Sequence, residues 1–172
     1  GYGSITGSRR LTLFSGGKDL QITTKIPTGK IPGTYPNETS IVFEPDGGAL
    51  CLLRQDGEPK TGFLGAASWP YEEWRWRSLD QRIGGPHMIR LPDGRLIAAV
   101  RLYDGKTRTS LCWLDPDTPQ LTEAVRLPSG GDTSYAGLAW HEDELWVSYY
   151  SGHEATEAGA KTSIYFARVA VE

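Results

Sequence analysis

Residues that could carry out acid–base chemistry recur at equivalent places of an internal repeat. Two of them stand eight positions before a turn aspartate, Glu38 before Asp46 and Tyr135 before Asp143, and the equivalent place before Asp93 is Gly85, which has no side chain. A carboxylate that accepts the proton of a phenol makes the phenol oxygen a better nucleophile. The spacing therefore predicts that the Glu38 carboxylate and the Tyr135 phenol line one pocket, where they could serve acid–base chemistry. The alternatives are a turn-capping role for Glu38 and core packing for Tyr135.

Three arginines accompany these positions. Arg54 and Arg101 each follow a turn aspartate by eight residues, and Arg108 opens a later strand-like run. The guanidinium group is planar, keeps its charge and donates two parallel hydrogen bonds to a carboxylate. We therefore expect Arg54, Arg108 and Arg101 to bind an acidic group of a ligand. Pairing with the aspartates of neighbouring turns is the structural alternative.

Two further side chains are predicted to line the same pocket. His87 lies near the start of a strand-like run, and Asp132 stands just ahead of Tyr135. Cys51 and Cys112 each lie inside an apolar run, which indicates small buried hydrophobic residues rather than metal ligands. We predict neither a metal nor another cofactor.

The elements that must position these residues are short β-strands. Turn signals recur about every 8 to 12 residues, and the segments between them are rich in Val, Ile, Leu, Trp and Tyr. Residues 44–47 with 50–54 recur as residues 91–94 with 96–101, and a third copy begins at residue 141. A repeat of roughly 45 to 50 residues with about four strands is typical of β-propeller blades.

We therefore predict an all-β fold, a partial β-propeller of about three four-stranded antiparallel blades in a single domain. The end of one blade is assigned to residues 1–27, full blades to 36–79 and 84–128, and an incomplete last blade to 132–172. A closed propeller has roughly four to eight blades. We expect an N-terminal half of the parent protein, or a second copy, to complete the ring.

Several segments resemble the second half of the sialidases, or neuraminidases, which are six-bladed propeller glycoside hydrolases with Asp-box (BNR) repeats. The resemblance rests on three segments: Pro36-Asn37-Glu38 with Arg54 sixteen residues on, Arg108-Thr109-Ser110-Leu111, and Tyr135-Ala136-Gly137-Leu138. The Asp-box turns of that family have only degraded counterparts, around residues 15–19 and 68–71.

This resemblance implies retaining hydrolysis of a terminal, acidic sugar, with Tyr135 as nucleophile and Glu38 as its base. Arg54 and Arg108 would hold the sugar carboxylate. The family's acid/base aspartate and first arginine belong to an N-terminal half that this chain lacks. An extracellular or periplasmic location is implied by the resemblance alone.

Composition excludes some partners and leaves others open. The 18 basic and 21 acidic residues are interspersed and give a net charge of −3, which argues against nucleic-acid binding. No apolar run approaches the roughly 20 residues that a membrane span requires. The expected partner is a glycan or glycoconjugate. A non-catalytic propeller that binds carbohydrate or protein is the alternative function, and the same fold with altered chemistry is a third.

Overall fold

The computed structural model describes residues 35–154 and 162–171. Residues 1–27, assigned above to the end of one blade, lie outside these ranges. The described residues form strands and no helix, and so contain no helix able to cross a membrane. The strands are β1 Pro36–Phe43, β2 Ala49–Gln55, β3 Phe63–Ala67, β4 Arg75–Ser78, β5 Ile83–Arg90, β6 Leu96–Leu102, β7 Arg108–Asp115, β8 Gln120–Arg126, β9 Thr133–His141, β10 Glu144–Ser151 and β11 Ser163–Ala170.

The strands form three antiparallel sheets in chain order. The first sheet contains β1 to β4, the second contains β5 to β8, and the third contains β9 to β11. The first strands of the sheets contact one another, β1 with β5 and β5 with β9, so these are the inner strands. This is the arrangement of propeller blades around an axis. The prediction of an all-β, partial β-propeller fold is confirmed.

The repeated turn has the same local cause in the first two sheets. The carboxylates of Asp46 and Asp93 accept hydrogen bonds from the backbone two residues ahead, at Gly48 and Arg95. The intervening Gly47 and the equivalent Gly94 have φ angles of 86° and 89°, in the left-handed region that glycine adopts without steric cost. The Asp-Gly pair thus closes each inner hairpin, and this explains the repeat.

The first three strands of the second sheet, β5 to β7, are largely buried on both faces, whereas β8 is mostly exposed. Along β6, Leu96, Ala98 and Val100 pack toward the first sheet. The alternating residues Ile97 and Ala99 pack toward the third sheet. Because side chains alternate across a strand, a strand between two sheets must be apolar at nearly every position, as the sequence of β6 is.

Both cysteines are free and belong to the apolar interior. Cys112 packs between the first and second sheets, and Cys51 lies in a cluster on the first sheet. Burial raises the pKa of each thiol to about 12, because a thiolate would lose its hydration. The two residues therefore behave as packing residues.

Two isoleucines at opposite extremes of exposure test this packing. Ile83 is 1% exposed between the first two sheets, whereas Ile164 is 80% exposed on β11. Ile83→Ala should lower the free energy of unfolding by roughly 2–5 kcal/mol, because it removes buried methyl groups and leaves a cavity. Ile164→Ala should lower it by less than about 1 kcal/mol. Urea unfolding followed by tryptophan fluorescence measures both, and equal losses would contradict the sheet stacking described here.

Candidate functional site

Each inner strand has a register shift near its first residues. The register shifts in β1 between Pro36 and Thr39, and in β5 between Gly84 and His87. In the third sheet, Ser148 pairs with Gly137 but Tyr150 pairs with Ser134, so β9 carries an extra residue around Tyr135. Such bulges redirect side chains and are common beside functional sites. Glu38, Gly85 and Tyr135 all lie in these irregular stretches.

The carboxylate of Glu38 is the centre of the site. Its Oε1 atom accepts hydrogen bonds from the Tyr135 hydroxyl at 2.5 Å and from Nη1 of Arg54 at 2.8 Å. Its Oε2 atom accepts the backbone N–H of Gly85 at 2.7 Å. Arg54 lies in the first sheet, Gly85 in the second and Tyr135 in the third. One partly buried carboxylate therefore joins all three sheets.

Gly85 is required by the close approach of two strands. Its φ angle is +51°, and an added Cβ atom would lie 1.9 Å from Oγ of Ser134 and 2.8 Å from the backbone nitrogen of Tyr135. Both the backbone conformation and the space exclude any larger residue. The missing side chain thus allows the β5 backbone to reach Glu38 while β9 passes beside it.

Tyr135 is held in an unusual and accessible position. Its φ angle is +50°, which is an outlier for a bulky residue and costs of order 1–3 kcal/mol. The side chain is 53% exposed, and its ring stacks on that of Tyr150 at 6.2 Å and 27°. The phenol is therefore open to a ligand while its oxygen is fixed on Glu38.

Glu38 stays ionised because its donors outweigh its burial. Burial alone would raise its pKa, but the hydrogen bonds from Arg54, Tyr135 and Gly85 together lower the pKa below the ordinary 4.5. Arg54 also pairs with Asp56 at 2.8 Å, so its guanidinium bridges two carboxylates. At neutral pH the site thus presents a charged proton acceptor beside a phenol.

The first two sheets carry equivalent side-chain pairs that the sequence analysis missed. Nε of Arg54 donates to Asp56 at 3.2 Å, and Nε of Arg101 donates to the hydroxyl of Tyr103 at 2.7 Å. Arg82 lies between the pairs, 3.5 Å from Asp56 and 4.1 Å from the Tyr103 ring centroid. The 47-residue spacing that relates the arginines also relates Asp56 to Tyr103, so the repeat could have found these residues.

Arg108 is held within the second sheet by partners other than Glu38. It is 6% exposed and donates to Glu123 at 2.7 Å and to Asp104 at 2.9 Å. The hydrogen bond from Arg108, with smaller ones from Ser110 and Arg126, lowers the pKa of Glu123 well below its usual range, despite the opposing effect of burial. The pairing between β7 and β8 corresponds to the structural alternative, and the binding of a ligand by Arg54 and Arg108 together stays a prediction.

The remaining predicted residues lie around the cluster rather than at its centre. Arg101 donates to the carbonyl oxygen of Thr133 at 3.3 Å and lies 3.9 Å from Asp132. Asp132 is mostly exposed and accepts the Tyr150 hydroxyl at 2.9 Å. Nδ1 of His87 contacts the backbone of β9 at residues 136 and 138, so this imidazole joins two inner strands. Among the described residues, no group of three or more His, Cys, Asp and Glu side chains is placed to hold a metal.

Comparison by sequence yields no match to a family model and none to a curated protein. Comparison by structure yields a protein of unknown function from Dyadobacter fermentans, with 21% identity and a TM-score of 0.66 over 80% of this chain. It also yields the Bacteroides ovatus protein described as xyloglucan PUL GH43B, with 15% identity and a TM-score of 0.55 over 77% of this chain.

A third structure is a GH43 glycoside hydrolase engineered to display endo-xylanase and exo-arabinofuranosidase activity. It shares 10% identity with this chain, covers 83% of it and has a TM-score of 0.52. The aligned part represents 38%, 26% and 31% of the three structures, so this chain spans well under half of each. At these identities the likeness is one of fold alone, that of a β-propeller.

The expected membership of the sialidase superfamily is wrong. The glycoside hydrolases to which this fold is similar are GH43 enzymes. The six-bladed ring and the extracellular or periplasmic location rested on the sialidase resemblance, and they lose that support. The short segments behind the resemblance reflect positions on a blade, which many propellers share.

The electrostatics of Glu38 predict a specific dependence of stability on pH. The pKa of Glu38 is lower in the folded chain than in the unfolded chain. Its ionised carboxylate therefore contributes fully to the free energy of unfolding above pH 4.5, and this contribution is lost as the pH falls through the pKa of the folded chain. The native chain should therefore be more stable than Glu38→Gln at neutral pH, and this advantage should shrink below pH 4.5. Urea unfolding of both proteins across this range measures the difference. Glu58→Gln removes one exposed charge as a control, and an advantage over Glu38→Gln that is independent of pH would contradict the described contacts.

Proposed function

We propose that this chain is part of a glycoside hydrolase in which Tyr135 attacks the sugar and Glu38 accepts the phenolic proton. The observation that supports this proposal is the 2.5 Å hydrogen bond from the Tyr135 hydroxyl to a carboxylate that Arg54 orients. A nucleophile, a base within hydrogen-bond reach and a third group that holds the base are the parts of an activated nucleophile.

The glycoside class of substrate is supported by the fold and by the openness of the site. The description of one similar structure names xyloglucan, and that of another names a glycoside hydrolase with endo-xylanase and exo-arabinofuranosidase activity. In this chain, the exposed Tyr135 ring and the cluster around it lie where three inner strands begin. In propellers the ends of the inner strands converge on the axis, where ligands have access.

The proposed reaction has two steps. In the first, Oη of Tyr135 bonds to the anomeric carbon, its proton passes to Oε1 of Glu38, and the bond to the leaving oxygen breaks with its electron pair. In the second, water attacks the anomeric carbon and loses a proton to solvent, while the released Tyr135 oxygen regains its proton from Glu38. The two displacements retain the anomeric configuration.

Arg54 sets the charge balance of this reaction. A carboxylate with a lowered pKa is a weak base, so it takes the phenolic proton only as the phenol oxygen bonds to carbon. The guanidinium group of Arg54 fixes the Glu38 carboxylate and compensates the negative charge of Glu38 until Glu38 takes up the proton. The strained backbone at Tyr135 holds the oxygen at this one position, which favours a fixed geometry of attack.

A dinitrophenyl glycoside tests the first step without a general acid, because this leaving group departs as a stable anion. The intact chain, offered dinitrophenyl xylosides, arabinofuranosides, glucosides and galactosides, should become glycosylated on the peptide that contains Tyr135, as detected by mass spectrometry after acid quenching. Tyr135→Phe should abolish this adduct, and Glu38→Gln should slow its formation by about 100-fold or more.

Tyr165 supplies the matched control, because its hydroxyl also donates to a carboxylate, that of Glu154 at 3.0 Å, but on the last strand of the third sheet. Tyr165→Phe should be labelled at the native rate. Labelling that persists in Tyr135→Phe would overturn the proposal. Glycoside binding without any adduct or release of dinitrophenolate would also overturn it and would favour a carbohydrate-binding propeller.

A further inference from the structure

One tryptophan stands apart from the others. Trp69 is 79% exposed, whereas the other five tryptophans are buried or half-buried. It lies in the turn of residues 68–74, between β3 and β4. The equivalent turn of the second sheet, residues 116–119 between β7 and β8, is three residues shorter. The longer turn therefore presents an indole ring that the repeat itself does not require.

The neighbours of Trp69 hold this turn in one shape. The Tyr71 ring makes edge contacts with Trp69 and with Phe43, each at 5.6 Å between centroids. The Tyr71 hydroxyl donates to the carbonyl of Gly47 at 2.8 Å, and Nε1 of Trp74 donates to the carbonyl of Tyr71 at 2.9 Å. Tyr71 itself has a φ angle of 63°, so the contacts hold it in an unfavourable backbone conformation.

A groove of about 420 Å³ runs beside the indole ring. It is lined by Ala67, Ser68, Trp69, Pro70, Glu72, Glu73 and Arg75. The lining thus combines the rings of Trp69 and Pro70 with a hydroxyl, two carboxylates and a guanidinium group. A flat aromatic surface with a few polar groups beside it is the composition of a small-molecule binding site.

We propose that this groove is a second carbohydrate-binding site, in which a sugar ring stacks on Trp69. The C–H groups on one face of a pyranose carry a partial positive charge that is attracted to the negative face of the indole ring. The ring hydroxyls can donate to the carboxylates of Glu72 and Glu73, in charge-assisted hydrogen bonds. A hydroxyl, two carboxylates and a guanidinium group line the groove beside the ring, and they match the many hydroxyls of a sugar better than an apolar peptide side chain.

The groove is separate from the cluster around Glu38. β1 begins at the cluster and ends at Phe43, which contacts Tyr71 of the turn. The two sites therefore lie at opposite ends of the first sheet, about 17 Å apart by the rise of β1 from Glu38 to Phe43. A polysaccharide held at Trp69 would be retained near the Glu38 end without filling it.

Titration calorimetry on the intact chain tests the groove, with short linear oligosaccharides of β-linked xylose, glucose and mannose as probes. At least one should bind, and Trp69→Ala should weaken its binding by about tenfold or more, because the stacking surface is lost. Trp69→Phe keeps a flat ring and should retain part of the affinity. Phe166→Ala removes a similarly exposed ring, 59% exposed on β11, and should bind as the native chain does.

The failure of this proposal is distinguishable from the failure of the catalytic one. Tyr135→Phe should bind the oligosaccharide normally, and Trp69→Ala should still form the Tyr135 adduct with a dinitrophenyl glycoside. Equal affinity of the native chain and Trp69→Ala, or no binding of any of the three oligosaccharides, would overturn the groove proposal. Binding of a proline-rich peptide in their place would also overturn it.

Discussion

The meeting of three sheets at the Glu38 carboxylate is the interaction on which the functional end of this molecule depends. Each sheet contributes one donor, from Arg54, Gly85 and Tyr135. A buried or half-buried carboxylate must be matched by hydrogen bonds, because its desolvation is costly. That requirement explains the absence of a side chain at position 85, the strained backbone at Tyr135 and the orientation of Arg54.

In the middle of the second sheet, the stacking of the sheets leaves only the strand ends for function. The faces of β5 to β7 are covered by the apolar clusters that join this sheet to the first and third sheets. Polar side chains on those faces would lack partners, so chemistry in these strands is confined to their ends. The Glu38 cluster occupies the strand starts, and the Trp69 groove occupies a turn of the first sheet. A rigid apolar interior thus supports two sites of different composition.

The error about family arises from what propeller blades have in common. A glutamate at the start of an inner strand and an arginine near the end of the next are brought together by any tight hairpin of this length, as Glu38 and Arg54 are here. Their spacing therefore indicates a propeller blade and does not indicate membership of a particular family. Arg108 is a second example of what spacing cannot tell. Its position at the start of β7 suits a contact with a ligand, but its side chain donates to Glu123 on β8 in a structural ion pair.

The sequence by itself determined the all-β fold, the period of the blades and the equivalence of positions 38, 85 and 135, because strand alternation and Asp-Gly turns are local properties. Tertiary structure decided which equivalent positions touch, since the bulges that redirect Glu38 and Tyr135 arise where neighbouring sheets crowd together. It also decided that Arg108 binds Glu123 and that Trp69 remains exposed. These features depend on contacts between residues that are far apart in the chain, and local sequence patterns do not contain information about such contacts.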